Sequence, residues 1–177
     1  MGLDWDFVRI TPEQRLRLLS EPSFQLLETI HEEREQEGLG FWYSPDDVGE
    51  ELPSFDTVYH LSLRTFYDEL EDLMLLEGDA GPVLEWPLGE GGELLRLEDR
   101  LLTLIAPDEV RRLVPMMQTL LDDYLDQRFA RQLDLLDGPR KAALEELYPE
   151  LRTCFADLTH YVQSAATKEE YIVWHYG

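Results

Sequence analysis

The sequence has 177 residues, of which 44% are hydrophobic and 30% are charged, and its formal net charge is −23. This length is typical of one domain with a sizeable core, and the 11 Gly, 10 Pro and single Cys exclude collagen-like, low-complexity and disulfide-framework proteins. Nucleic acids and anionic membranes attract basic surfaces, so a chain this acidic is not expected to bind either of them directly.

The first part of the sequence predicts a strand followed by a helix. Side chains alternate between two faces over residues 3–10, as they do in a strand. Thr11 and Gln14 have the spacing of a capping box, so a helix is expected to begin there. Within this helix, Leu16 and Leu19 are expected to face the core.

The next segment predicts two more helices separated by a loop. One helix is expected to begin near Ser23 and to end at Gly38, because an apolar stripe with helical spacing lies between them. The Gly, Pro and Asp content of residues 38–55 predicts a loop, which is also strongly acidic. Asp56 is expected to cap a third helix that runs to Gly78 along another apolar stripe.

Extended and helical signals alternate in the second half of the sequence. Residues 83–86 and 100–105 are predicted to be extended. A helix follows the second of these segments, and Pro115 is expected to kink or split it. After a break at Gly138, Pro149 is expected to open the last long helix.

The end of the chain predicts a strand in the middle of a sheet. Residues 171–176 are apolar on both faces, as central strands often are. We therefore expect an α+β fold in a single domain over residues 1–177, mostly helical and built around a small sheet that includes the N- and C-terminal strands as neighbours. No secretion signal or long apolar span is visible and Cys154 is expected to be a buried free thiol, which favours a cytoplasmic location.

The order of several short motifs is similar to that of one protein family. The matching segments are Asp56-Thr57-Val58-Tyr59-His60, Leu104-Ile105-Ala106-Pro107-Asp108-Glu109-Val110, Leu147-Tyr148-Pro149 and the closing helix and strand. They resemble segments of the YfbM-like family of bacterial domains of unknown function, which usually carries Trp-His where this chain has Tyr59-His60. The resemblance implies a fold but no reaction, because the family has no established activity.

His60 is the single residue of greatest chemical interest. As a general base it would need a carboxylate to orient it, and Asp56 lies one turn before it in the predicted helix. The alternative, which we favour, is structural: Asp56 caps the helix and a partly buried His60 holds a loop in place. His31, which lies in an acidic run, is interpreted as a solvated helix residue.

A second group of titratable residues lies on the two terminal strands. Asp4 and Asp6 share one strand face, and His175 would lie beside them if the two strands pair. Two carboxylates and an imidazole suit a divalent metal or acid–base chemistry, but a strand end that faces solvent is the commoner arrangement. We therefore expect no cofactor and no bound metal, and these three residues remain weak metal candidates.

Aromatic residues extend the region around His60. Phe41, Trp42 and Tyr43 could line a pocket or contact a partner, although core packing is the commoner role of such side chains. The candidate ligand or partner site therefore comprises Asp56, Tyr59, His60, Phe41, Trp42 and Tyr43.

Two hypotheses for the function follow from these features. The favoured hypothesis is a non-enzymatic binding or inhibitor protein of the immunity type, which uses the acidic and aromatic residues 38–55 to bind a basic protein. It is favoured because the sequence contains no nucleophile-elbow, dinucleotide-binding or phosphate-loop motif. The alternative is a small-molecule enzyme or sensor with a cleft around Tyr59 and His60.

Overall fold

The structure is a computed structural model that describes residues 5–42, 58–63, 67–74, 81–82, 84, 92–98 and 100–176. In chain order its elements are β1 (Trp5–Ile10), α1 (Pro12–Ser20), α2 (Phe24–Glu37), β2 (Leu39–Trp42), β3 (Val58–Ser62), α3 (Tyr67–Met74), β4 (Glu93–Leu97), β5 (Arg100–Ile105), α4 (Pro107–Thr119), a π-helical segment (Leu120–Tyr124), α5 (Leu125–Asp134), α6 (Gly138–Thr167) and β6 (Tyr171–Tyr176). None of the helices in the described part of the chain is both long enough and apolar enough to cross a membrane.

A six-stranded sheet with the order β2-β3-β1-β6-β5-β4 organises the molecule. Strands β2 and β3 run parallel, and every other neighbouring pair is antiparallel. The first and last strands are neighbours in the middle of this sheet, with Asp6 opposite His175. The predicted α+β fold, with both terminal strands inside one sheet, is confirmed.

Successive side chains of the central strands point to opposite faces of the sheet, and each face carries its own apolar core. One core joins Phe7 and Trp174 to helices α4 and α6. The other joins Val8 and Val173 to helices α1 and α2. On the first face, the buried hydroxyl of Tyr161 in α6 donates to the backbone carbonyls of Phe7 at 3.0 Å and Tyr59 at 3.1 Å. The sheet therefore lies between two helical layers.

Most of the predicted helix boundaries agree with the structure. The capping box of Thr11 and Gln14 is formed, and it starts α1 as expected. Ser23 caps α2 and Gly38 ends it. Residues 100–105 form a strand. The helical structure is interrupted before Gly138, where α6 begins.

The largest error concerns the segment that contains His60. The predicted third helix does not begin there, because Val58–Ser62 forms strand β3 between β1 and β2. Every residue of this strand is buried. Its side chains do alternate, with His60 and Ser62 polar and Tyr59 and Leu61 apolar, but the same segment also fits the apolar stripe of a helix. The helix described in this segment is α3, Tyr67–Met74, and Asp56 lies outside the described residues.

Other predictions were wrong in detail. Leu39–Trp42 is strand β2 rather than part of a loop, and it forms one edge of the sheet. Leu16 is 62% exposed, because α1 turns Gln14 and Leu18 inward instead. Helix α6 does not begin at Pro149 but continues through it from Gly138.

Three further features of the second half complete the comparison with prediction. Strand β4 was not predicted, and only residue 84 of the predicted segment 83–86 is described. Pro115 does not split its helix, since α4 continues past it to Thr119. Cys154 is a free and fully buried thiol, as expected.

A buried arginine ties the connection after α3 to α5. Arg128 is 1% exposed and donates to the backbone carbonyls of Leu73 at 3.2 Å and Met74 at 3.0 Å, in the last turn of α3. It also donates to the carbonyl of Pro82 at 2.6 Å. Burial lowers the pKa of this guanidinium from its ordinary value, and the three carbonyl groups accept its hydrogen bonds there.

Candidate functional site

Four titratable side chains from four different elements meet on one face of the sheet. They are Asp6 from β1, His31 from α2, His60 from β3 and His175 from β6, and we call them the histidine cluster. Nε2 of His60 lies 3.0 Å from Oδ1 of Asp6. The ring centre of His31 lies 5.5 Å from that of His60 and 6.3 Å from that of His175.

Strand register brings three members of the cluster together. Asp6 on β1 lies opposite His175 on β6, while Val8, the next residue on the same face of β1, lies opposite His60 on β3. Asp6 and His60 are therefore diagonal neighbours on adjacent strands, within reach of a hydrogen bond. The sequence predicted the Asp6–His175 juxtaposition but placed His60 in a separate helix, so it did not bring the two groups together.

Helix α2 supplies the fourth member from above the sheet. His31 and Glu35 lie one turn apart on this helix and therefore share a face. The pairing of β2 with β3 shifts register between Leu39 and Gly40, and this irregularity falls at Tyr59. Tyr59 and His60 consequently both reach α2, where the Tyr59 hydroxyl donates to Glu35 and the His60 ring approaches His31.

The environment of Tyr59 keeps its hydroxyl protonated. Burial, the negative charge of Glu35 and the hydrogen bond to Glu35 together raise the pKa of Tyr59 to about 12. Tyr59 therefore serves as a hydrogen-bond donor that links β3 to α2 beside the cluster. Tyr59 and His60 are therefore neighbours on a strand with a shifted register rather than on the predicted helix.

Asp6 is the anionic member of the cluster. Burial by itself raises the pKa of Asp6, but the hydrogen bond and the charge of His60, the charge of His175 and a hydrogen bond from Ser62 outweigh burial and lower that pKa below 3.8. At neutral pH the carboxylate is ionised and can only accept hydrogen bonds. His60 therefore carries a proton on Nε2 and donates it to Asp6.

His31, in contrast to the anionic Asp6, is an uncharged member of the cluster at neutral pH. Burial first, and then the charges of His60 and His175, lower the pKa of His31 from 6.5 to about 4, against the opposing effect of Asp6. The ring is therefore neutral at neutral pH. Its Nε2 atom is buried and has no hydrogen-bond partner within the described part of the chain. Buried polar atoms are usually paired, so this nitrogen needs a physical explanation.

The prediction that His31 lies on a solvated helix face was wrong, because its ring is largely buried against the sheet. Leu27, Ile30 and Arg34 are buried along α2, at spacings that place His31 in the same inward stripe. The charged residues on either side of His31 obscured this stripe. The sequence therefore did contain a signal for burial of His31, namely its helical spacing from Leu27 and Arg34.

A buried ion network holds α2 in this position. Both oxygens of Glu170, directly before β6, are used: Oε2 accepts from Nε of Arg9 at 2.6 Å, and Oε1 accepts from Nη2 of Arg34 at 2.7 Å. Arg34 also donates to Glu37 at 2.7 Å, and Arg9 donates to the carbonyl of Val58 at 2.9 Å. The network thus links α2 to three strands of the sheet beside the histidine cluster. Sequence analysis did not find it, because arginines are rarely buried.

The remaining predicted site residues have different outcomes. Phe41 and Trp42 lie in β2 opposite Leu61 and Ser62, so their backbones border the strand that carries His60. Three further candidates lie outside the described residues, namely Asp4, Tyr43 and Asp56. No group of three or more metal-ligating side chains is arranged to hold a metal ion among the residues that the structure places. The cluster offers hydrogen-bonding and proton-exchanging groups.

Comparisons with known proteins address the fold. No family model matches the sequence, and no curated protein matches it either. Among solved structures, the chain is similar to YfbM from Escherichia coli, a protein of unknown function, with a TM-score of 0.59 and 14% sequence identity over 99% of both chains. At this identity the similarity concerns the fold alone. The fold implied by the motifs of the sequence is thereby confirmed, and the chain has a YfbM-like fold.

Proposed function

We propose that this protein is a sensor that binds a small polar ligand at the histidine cluster. The observation that carries the proposal is the buried Nε2 of His31, which lacks a hydrogen-bond partner among the described residues and lies beside the Asp6–His60 pair. A ligand that pairs with this nitrogen would remove the cost of leaving it unpaired. The alternative function inferred from the sequence, with its cleft around Tyr59 and His60, is thus the one that we retain.

The energetics of the cluster favour a functional role. Bringing a carboxylate and three imidazoles together in a largely buried place costs desolvation free energy, which apolar side chains of similar size would not incur. Perturbed titratable groups that converge from separate elements are typical of binding and catalytic sites. Here the pKa values of Asp6 and His31 are shifted. The four side chains of the cluster come from two central strands, an adjacent strand and a helix, which makes the arrangement well fixed in space.

Replacing His31 by Leu tests this proposal directly. If His31 serves the ligand, the variant should be as stable as the original protein or more stable, because an unpaired buried nitrogen is removed, yet it should lose ligand binding. Binding is measured as the thermal shift of the protein across a panel of small polar metabolites. His160→Leu, at an exposed position on α6, is the matched control and should keep every shift.

Two results would contradict the sensor proposal. A large loss of stability in His31→Leu would assign His31 a structural role. Equal ligand shifts in His31→Leu and in the original protein would move the ligand site away from the cluster.

A second candidate function, binding to a basic protein, is favoured by charge. The net charge is −23, and Glu28 and Glu32 are exposed on the outer side of α2. Opposite charges on two proteins accelerate and orient their association. Most of the acidic segment 38–55 lies outside the described residues, so this candidate rests on α2 and on the overall charge.

Salt dependence tests the second candidate. Capture of a basic partner should weaken strongly between low and moderate ionic strength, because salt screens exposed charges. Neutralising α2 with Glu28→Gln and Glu32→Gln should weaken capture further at low salt. If the amount of captured partner changes neither with salt nor with these substitutions, electrostatic recognition through this helix is excluded.

A further inference from the structure

Helices α3, α5 and α6 line a cavity that is open to solvent, on the opposite side of the sheet from the histidine cluster. Its volume is about 280 Å³. The apolar part of its lining comes from Leu73, Leu136, Ala143, Leu144 and Leu147. Ligand sites for drug-sized molecules occupy roughly 300–1,000 Å³, so this cavity suits a smaller molecule with an apolar body.

The polar part of the lining is unevenly charged. Glu69 and Asp72 lie one turn apart on α3, at the same rim of the cavity. Oε2 of Glu69 is buried and has no hydrogen-bond partner in the described ranges of the chain, while Oδ2 of Asp72 lies 3.5 Å from Nε2 of Gln132. The unpaired, buried oxygen of Glu69 can accept a hydrogen bond, so it calls for a donor, and a cationic donor gives the strongest bond.

We propose that this cavity binds a small aliphatic primary amine. The ammonium group donates to Glu69 and lies near Asp72, and the alkyl chain covers Leu144 and Leu147. Arg140, which lines the cavity from the start of α6, repels the ammonium group and so directs it to the α3 rim. The proposal is independent of the histidine cluster, since no residue is shared between the two sites.

Three probes of equal chain length separate charge from apolar contact. We would titrate n-hexylamine, n-hexanol and n-hexanoate into the full-length protein, following the methyl signals of leucines by NMR and the heat of binding by calorimetry. The amine should bind at least about tenfold more tightly than the alcohol, because a hydrogen bond to a charged group exceeds one between neutral groups by this order. Hexanoate should bind most weakly.

Variants separate the cavity from the general attraction of an acidic protein for cations. Glu69→Gln should reduce the affinity for hexylamine about tenfold and leave that for hexanol within about twofold. Glu145→Gln removes the same charge from an exposed position of α6 that does not line the cavity, and it should change neither affinity. Asp72→Asn gives a second test at the same rim if Glu69→Gln does not fold.

Each alternative result overturns the proposal. Tighter binding of hexanoate would assign recognition to Arg140. Equal binding of the three probes would make the cavity an apolar surface without charge preference. Equal losses of hexylamine affinity in Glu69→Gln and Glu145→Gln would show that this affinity depends only on the net charge of the protein.

Discussion

Asp6 and His60 are 54 positions apart in the sequence, yet their side chains are joined by a hydrogen bond of 3.0 Å across two neighbouring strands. This bond fixes the proton of His60 on Nε2 and keeps Asp6 ionised at neutral pH. It also separates two roles within one cluster, because His60 is paired with a carboxylate while His31 stays neutral beside it.

A double-mutant cycle on Asp6→Asn and His60→Gln should reveal direct coupling of these two residues. We expect a coupling free energy of about 1–2 kcal/mol, because the bond involves a charged acceptor in a largely buried place. Urea unfolding of the two single variants and the double variant measures it. Effects that simply add would show that the hydrogen bond contributes nothing to stability.

The stability of the folded protein should fall as the pH decreases from about 6.5 to about 4. The pKa of His31 is about 4 in the folded protein and 6.5 in its ordinary state, so the unfolded chain takes up a proton in this range before the folded chain does. At the lower end of this pH range, the free energy of unfolding should have decreased by on the order of 3 kcal/mol through His31.

Urea unfolding at a series of pH values measures this dependence, and His31→Leu should remove it. Asp6 also has a lowered pKa and acts in the same direction, but mainly as the pH falls through its unfolded value of 3.8, so the upper part of the range reports His31. His160→Leu is the control for loss of an exposed histidine. An unchanged pH profile in His31→Leu would contradict the neutral state of His31.

Removing the carboxylate of Glu170 should destabilise the fold strongly. Glu170→Gln leaves Arg9 and Arg34 buried without their shared counter-charge, a change that typically costs about 3–5 kcal/mol. The neighbouring Glu169 has an exposed side chain that pairs with Arg111, so Glu169→Gln is a matched control with an expected cost below about 1 kcal/mol. Similar denaturation midpoints for the two variants would argue against a structural role of the network.

Replacing Arg128 by Met should loosen the connection after α3. The variant leaves three backbone carbonyls without the donor that they share, at an expected cost of about 3 kcal/mol. Arg131→Met, at an exposed position of the same helix, should change stability by less than about 0.5 kcal/mol. Hydrogen exchange of the amides in α3 should increase in Arg128→Met only, and equal exchange in both variants would contradict this assignment.

The sequence predicted those elements whose signals are local. Strand β1 alternates, α1 has a capping box, and β6 is apolar on both faces, so each was identified from its own residues. Strand β3 was mistaken for a helix because its apolar residues also fit a stripe with helical spacing, which outweighed the short alternation of His60 and Ser62 with Tyr59 and Leu61.

The candidate site was only half predictable, because its geometry depends on pairing between distant segments. Asp6 and His175 were placed together by assuming that the terminal strands pair, which they do. The position of His60 required the register of β3 on β1, and that of His31 required knowing which face of α2 is buried. Local residue propensities determine neither the register between two strands nor the face of a helix that is buried.

The position of β6 between β1 and β5 has a consequence for how the chain reaches its native state. Without residues 171–176, the sheet would consist of two separate fragments, β2-β3-β1 and β5-β4, with no ladder between them. During synthesis, these residues emerge from the ribosome after β1–β5. The two fragments can therefore join only once β6 has emerged, and the long-range pairing that this requires favours slow, cooperative folding.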